Sequence, residues 1–279
     1  MGYERYRMKT LAKRRLSGRY GFCVALTAVW LLFALTSSNL TGSFLPMFPL
    51  GGPELQAFLE DPLSPFMAME ASQTAGWALA VLLLFIVRTP FSVGMAAVYL
   101  WLSKEDHDSV KPADPGQERD FDEPGWQVRG WKKLLPFYAA PGQWTRVLTA
   151  ELIRAMLEFA CMAPGVLCFL FAMYSTSEPV QIAMSLLSLI LMGLAFVVSG
   201  AFAQTRYLLA DPGITEKPAG VIWLSVRNMK GRLIHFAFFR ASFLLWFAFM
   251  QATMLIGGLY VVPYYEMSVA IYIRKTWRS

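Results

Sequence analysis

Long apolar runs separated by short polar segments dominate the chain. Crossing a bilayer core of about 30 Å takes about 20 helical residues, and six runs approach or exceed that length. They cover residues 20–37, 75–102, 148–173, 181–209, 233–254 and 257–273. The last run begins with Gly257 and Gly258 and contains Pro263, so a short full span and a re-entrant segment both remain open. The pattern predicts an all-α, polytopic transmembrane helix bundle.

Basic residues concentrate in alternate polar segments. Residues 1–19 and 104–147 carry seven Lys or Arg each, residues 210–232 carry four, and the last six residues carry three. Residues 38–74, by contrast, contain no Lys or Arg. Because cationic loops stay on the cytoplasmic side of a membrane, this alternation predicts an even number of spans with both termini in the cytoplasm.

The same alternation divides the chain into regions. Residues 1–19 form a basic N-terminal segment, and residues 20–273 form the membrane domain. Within that domain we expect an outer loop at 38–74, a cytoplasmic loop at 103–147 and a cytoplasmic elbow at 210–232; a basic tail follows at 274–279. In the N-terminal segment, Tyr3, Tyr6, Leu11 and Leu16 alternate with basic residues, which suits a helix on an anionic inner leaflet or a simple positively charged flank.

The amino-acid composition agrees with a membrane protein and limits the classes of binding partner that we expect. The chain is 56% hydrophobic and only 16% charged, with a net charge of +6. In so apolar a chain a basic excess reflects loop placement, so we expect membrane lipids, a protein partner or a second copy as partners and no nucleic acid. The three cysteines lie inside apolar runs and predict neither disulfides nor a metal site. His107, between Asp106 and Asp108, is interpreted as part of a solvated linker.

Charged residues inside the apolar runs are the candidate functional site. Ionisable side chains at membrane depth are costly and face the bundle interior or a water-filled cavity. The set comprises Arg88, Glu151, Arg154, Glu158, Arg206, Arg240 and Glu266.

Helical spacing and depth predict partners within this set. Arg154 lies three residues after Glu151 and four before Glu158, so it can bridge both carboxylates. Glu158 and Arg88 lie at similar predicted depths, so we also expect these two to pair. Two roles remain open for the set: ion pairs that fix helix packing, or an aqueous cavity for an anionic headgroup or solute.

Catalytic signatures are absent from the sequence. It contains no nucleophile elbow, phosphate-binding loop or His-Glu-x-x-His motif, and neither histidine has an evident nucleophile partner. We therefore expect no enzyme activity and no cofactor or metal.

The segment 204–273 carries a family resemblance. RYLLADPG, SVRNMKGRLIHF, RASFLLWFAF and TMLIGGLYVVPYYEMSVAIYI resemble a bacterial integral membrane protein family called domain of unknown function nine hundred seventy-five. The matching positions are Tyr207, Asp211, Pro212, Lys230, Gly231, Ser242, Trp246, Pro263 and Tyr264. Arg232-Leu233 and Leu245 depart from the usual pattern. The resemblance implies a multi-span helical protein of the bacterial cytoplasmic membrane, similar in outline to the membrane portions of some glycerophosphodiester phosphodiesterases, without an established substrate.

Three functions follow as hypotheses. The first is a non-enzymatic accessory protein that binds lipid or a partner. The second is a small permease or channel with a charged midplane cavity, and the third is a membrane-embedded enzyme acting on lipids. The sequence favours the first.

Overall fold

The computed structural model describes residues 2–40, 71–104, 126–253 and 256–277. Within these ranges the chain is helical and contains no strand, which confirms the all-α prediction. Most of the predicted outer loop, the linker around His107 and the last two residues lie outside the described ranges.

Helices follow one another closely along the described ranges. They are α1 (Gly2–Leu16), α2 (Tyr20–Leu40), α3 (Ala71–Lys104), α4 (Trp126–Leu134), α5 (Pro136–Ala139), α6 (Pro141–Tyr174), α7 (Glu178–Ser199), α8 (Thr205–Ala210), α9 (Pro218–Met229), α10 (Leu233–Ala241), α11 (Leu244–Ala252) and α12 (Gly258–Trp277). A single 3-10 turn, Gly200–Phe202, joins α7 to α8. The loop predicted over 103–147 thus contains α4, α5 and the start of α6.

Four segments of the described chain are long and apolar enough to cross a membrane. They are Val81–Ser103, Pro141–Tyr174, Glu178–Ala210 and Leu233–Met250. The apolar part of the first predicted span, Tyr20–Leu32, is shorter, and α12 is not among the four. The structure therefore supports a membrane protein, whereas six spans and cytoplasmic termini stay predictions.

The core forms where α3, α10 and α12 meet. Tyr99 of α3 is completely buried, as are Phe236 and Phe239 of α10. The Tyr272 ring of α12 lies 5.0 Å from the Phe236 ring and 5.2 Å from the Phe239 ring, measured between centroids. Offset and tilted ring contacts of this kind stabilise a core beyond simple area burial.

The α6–α7 hairpin contrasts with this core because its outer surface is open. Only 11% of the apolar window of each helix is buried within the protein. Helices that are apolar on all sides suit contact with lipid hydrocarbon. Between the two helices the contact is close: the Ser188 hydroxyl donates to the Gly165 carbonyl over 2.8 Å. A Cβ at Gly165 would stand 2.9 Å from Cγ of Met192, so glycine permits this approach.

The basic N-terminal segment forms α1, which packs against the bundle. Ala12 and Leu16 are buried, whereas Tyr6 is exposed. The Lys9 ammonium donates to the Ser242 carbonyl over 3.2 Å and lies 4.2 Å from the centroid of the Phe243 ring. Ser242 follows the last residue of α10, where a cation favourably meets the carbonyl end of a helix.

The polar stretch after α8 forms the predicted elbow. Asp211 ends α8, and its Oδ1 accepts a hydrogen bond from the backbone N–H of Gly213 over 3.0 Å. Helix α9 then covers Pro218–Met229, inside the predicted elbow at 210–232. Gly231, at φ 76°, reverses the chain into α10 because glycine tolerates positive φ.

The close contact at Gly165 yields a stability prediction. We expect Gly165→Leu to lower the free energy of unfolding by about 1–3 kcal/mol, because the added side chain forces the hairpin apart. Gly193→Leu is the matched control, since a Cβ at that helical glycine meets open space. Unfolding in mixed micelles measures both. Equal stability of the two variants would contradict the packing described here.

Candidate functional site

Six of the seven predicted charged residues converge in the structure. They come from four helices: Arg88 from α3, the Glu151, Arg154 and Glu158 trio from α6, Arg206 from α8 and Glu266 from α12. The Arg206 charge interacts with those of Glu151, Glu158 and Glu266. The Arg88 charge interacts with those of Arg206 and Arg154. We call these six residues the charge network.

Arg154 occupies the middle of the α6 trio. Its Nε and Nη2 donate to Glu151 Oε2 over 2.9 and 2.5 Å, and its Nη1 donates to Glu158 Oε1 over 2.8 Å. The predicted bridge to both carboxylates is confirmed. Because charge-assisted bonds to a planar guanidinium are strong and directional, one side chain fixes two carboxylates on the same helix face.

The predicted pair between Arg88 and Glu158 was wrong. Glu158 is bound by Arg154 one helical turn away, and no ion pair joins Glu158 to Arg88 within the described ranges. The Arg88 guanidinium instead lies 5.0 Å from the centroid of the Trp30 ring, a cation–π contact. Glu158 loses less conformational entropy by pairing with Arg154 on its own helix than by pairing with a residue on another helix. In addition, the nearby positive charges of Arg154 and Arg206 repel Arg88.

Arg206 connects α8 to α6. Its Nε lies 3.8 Å from Glu151 Oε1, close enough for ionic attraction but beyond hydrogen-bond distance. Both atoms are buried and make no hydrogen bond within the described residues. Glu266 is held separately, by the Tyr207 hydroxyl, which donates to Glu266 Oε2 over 2.7 Å. The network therefore joins α6, α8 and α12.

Arg240 stands beside this network. Its Nη1 donates to the Ser199 hydroxyl over 2.9 Å, and its guanidinium lies 4.6 Å from the centroid of the Phe196 ring. Tyr265 interacts electrostatically with Arg240, and it lines one cavity together with Arg206 and Glu266. Tyr265 thus connects Arg240 to the charge network.

A small cavity borders the charge network. Arg206, Tyr265 and Glu266 line it together with Trp30, Ser92, Met95, Phe247 and Val262, and its volume is about 130 Å³. Since water occupies about 30 Å³ per molecule, the cavity has room for roughly four waters. It suits solvent or a small ion and is too small for a lipid headgroup with its glycerol.

The balance of positive and negative charges in the network indicates its structural role. Three arginines and three glutamates compensate one another, and the shortest contacts are internal to the protein. Paired buried charges of this kind hold helices in a fixed register, and breaking one pair is costly. The charge network therefore acts first as a connection between helices.

A second, larger cavity lies where α3, α6, the elbow and the end of α12 meet. Its volume is about 440 Å³, within the range of about 300–1,000 Å³ typical of ligand sites. Lys133, Arg146 and Arg274 line it, as do Asp211 and the indoles of Trp101 and Trp277. We call it the basic cavity.

The three cations of the basic cavity differ in how they are held. Arg146 donates through Nη2 to the Ile214 carbonyl over 2.7 Å and through Nε to the Glu216 carbonyl over 3.0 Å, which ties α6 to the elbow. Arg274 donates to the Ser103 hydroxyl over 3.5 Å. Lys133 is exposed and makes no hydrogen bond or ion pair within the part of the chain that the structure describes.

Sequence reasoning missed the basic cavity. It counted Lys133, Arg146 and Arg274 only as topogenic charges, and they lie far apart along the chain. Their convergence depends on the elbow folding back onto α6, which no local pattern encodes. The only local signal is the density of Trp and Lys in residues 126–144, a composition typical of the headgroup region.

The family-like positions have structural roles. Tyr207 binds Glu266, Asp211 and Pro212 line the basic cavity, and Gly231 allows the turn into α10. Trp246 packs its ring against those of Tyr260 and Tyr264, at 5.9 and 6.4 Å between centroids. Among the described residues, no group of three or more His, Cys, Asp or Glu side chains is placed to hold a metal ion.

Comparison of the chain with family models, with curated proteins and with solved structures gives no match. The resemblance of residues 204–273 to the bacterial family therefore stays a prediction.

The bridge at Arg154 yields a second stability prediction. Arg154→Met leaves two carboxylates of α6 without their partner, so we expect the free energy of unfolding to fall by about 3–5 kcal/mol. Arg227→Met is the control, because Arg227 is exposed on α9 and its loss should cost no more than about 0.5 kcal/mol. Denaturant titration in micelles compares them. Similar small losses in both variants would show that the bridge does not stabilise the bundle.

Proposed function

We propose that this chain is a non-enzymatic, multi-pass membrane protein that binds membrane lipid in the basic cavity. The observation that carries the proposal is a cavity of about 440 Å³ that combines three cationic side chains with an apolar wall. Ligand sites are mostly apolar concavities with a few placed polar groups, and this one opens beside a helix apolar enough to span a bilayer.

The distribution of Lys and Arg along the chain supports a location of the basic cavity at the inner leaflet of the membrane. Lys133, Arg146 and Arg274 all belong to segments that the positive-inside pattern assigns to the cytoplasm. Cytoplasmic leaflets carry anionic lipids, which basic residues near the surface attract at about 1 kcal/mol each. If the family resemblance holds, the membrane is the bacterial cytoplasmic membrane.

A small permease or channel is the second candidate. The cavity of about 130 Å³ beside Arg206 and Glu266 favours it, because polar space among buried charges is typical of ion pathways. The internal compensation of the charge network favours lipid binding over transport. An enzyme acting on lipids has no comparable observation in its support.

Native mass spectrometry of the gently extracted protein tests the proposal. We expect a discrete bound lipid on the wild type, and loss of most of it in Lys133→Gln, because Lys133 is a cavity cation that no described residue binds. Lys132→Gln is the matched control: Lys132 is exposed and adjacent, yet it does not line the cavity.

The same spectra separate the candidates. Arg88→Ala and Glu158→Ala disturb the charge network without touching the basic cavity, so they should reduce stability and keep the lipid. Loss of a discrete bound species in these two variants, with retention in Lys133→Gln, would contradict the proposal and favour a solute site at the network. A wild type without any discrete bound lipid would also contradict it.

A further inference from the structure

The lining of the basic cavity points to a class of lipid. Resting on the proposed function, we infer that the cavity selects glycerophospholipids whose headgroup carries a net negative charge, with the headgroup phosphate held by Lys133 and Arg146 in a lining that also contains Arg274.

Charge is the first argument. Among the described lining residues, three cations and the carboxylate of Asp211 sum to a formal net charge of +2. A zwitterionic headgroup such as phosphocholine would bring its own cation into this lining, whereas an anionic phosphodiester would not. Because like charges in a confined, partly desolvated site repel strongly, net charge discriminates between the two headgroups.

Donor geometry is the second argument. The Lys133 ammonium provides three N–H donors that no described residue uses. Arg146 donates through Nε and Nη2 to carbonyls of the elbow, and these two hydrogen bonds hold the guanidinium in place. Its Nη1 makes no hydrogen bond within the described residues. Gln143 brings the first turn of α6 to the same lining, so the positive end of a 34-residue helix adds to the attraction for an anion.

The apolar wall is the third argument, and it favours a lipid over a free phosphate. Ala97, Leu100 and Trp101 of α3 line one side, and Leu209 of α8 also contributes. These residues continue into the membrane-spanning part of α3, so a glycerol and the start of an acyl chain can follow the helix into the hydrocarbon. Trp101 and Trp277 supply the amphipathic rings that favour the interfacial depth.

Carboxylate placement refines the class. Asp211 Oδ1 already accepts the Gly213 N–H, so the carboxylate keeps a second oxygen as an acceptor at the cavity. A hydroxyl on the headgroup can donate to that oxygen. A phosphodiester with a hydroxylated, uncharged alcohol, such as glycerol, can therefore contact both the cations and Asp211.

The full chain in detergent micelles tests this inference with short-chain lipids as probes. Titration calorimetry should give at least about tenfold tighter binding of short-chain phosphatidylglycerol than of short-chain phosphatidylcholine, a ratio that corresponds to about 1.4 kcal/mol. Lys133→Gln should weaken phosphatidylglycerol binding about tenfold and remove most of the selectivity. Lys133→Arg, which keeps the charge, and Lys132→Gln, outside the cavity, should bind as the wild type does.

Competition with inorganic phosphate tests whether the cavity binds a lipid headgroup or free phosphate. We expect phosphate to compete only at concentrations at least about 100-fold above the lipid, because it gains nothing from the apolar wall. Competition at equal concentration would overturn the lipid assignment in favour of a free-phosphate site. Equal binding of the two lipids, abolished by Lys133→Gln, would overturn the inference and leave the proposed function standing. Absence of binding by any lipid would overturn both.

Discussion

Compensation of buried charge is the constraint on which this structure depends. An unpaired ion in a bundle surrounded by hydrocarbon is too costly to keep. Arg154 neutralises one side of Glu151, and the remaining oxygen of that carboxylate faces Arg206 on another helix. Arg206 also feels the charge of Glu266, which Tyr207 holds on α12. The requirement that these buried carboxylates be compensated thus influences how α6, α8 and α12 pack together.

The same requirement separates two kinds of surface. The α6–α7 hairpin turns most of its apolar surface outward, because lipid accepts it without cost and the hairpin already satisfies its own contacts through Gly165 and Ser188. The elbow after α8 is polar and must fold against something that satisfies its carbonyls. Arg146 does so at Ile214 and Glu216, and this contact closes one wall of the basic cavity.

Two populations of arginine and lysine therefore have different consequences for function. Cations of the charge network contact partners within the protein, and the cavity beside them has a volume of about 130 Å³. In the basic cavity, Lys133 and Nη1 of Arg146 provide N–H donors that no described residue uses, around a larger volume of about 440 Å³. A ligand site needs hydrogen-bond donors that no protein group already uses. This difference is the physical basis for proposing lipid binding at the edge of the bundle and not transport through its middle.

The sequence by itself determined the helical class, four segments that are long and apolar enough to cross a membrane, and the elbow, because hydrophobic run length, Pro, Gly and Asp act within one or two turns of helix. It also determined the Arg154 bridge, whose three partners share one helix face. Only the tertiary structure decided that Arg88 stacks on Trp30 while Glu158 stays with Arg154, since helix rotation and neighbouring charges choose between partners at equal depth. Only the tertiary structure brought Lys133, Arg146 and Arg274 around one cavity. Residues so distant in sequence meet through the packing of whole helices, which local periodicity does not encode.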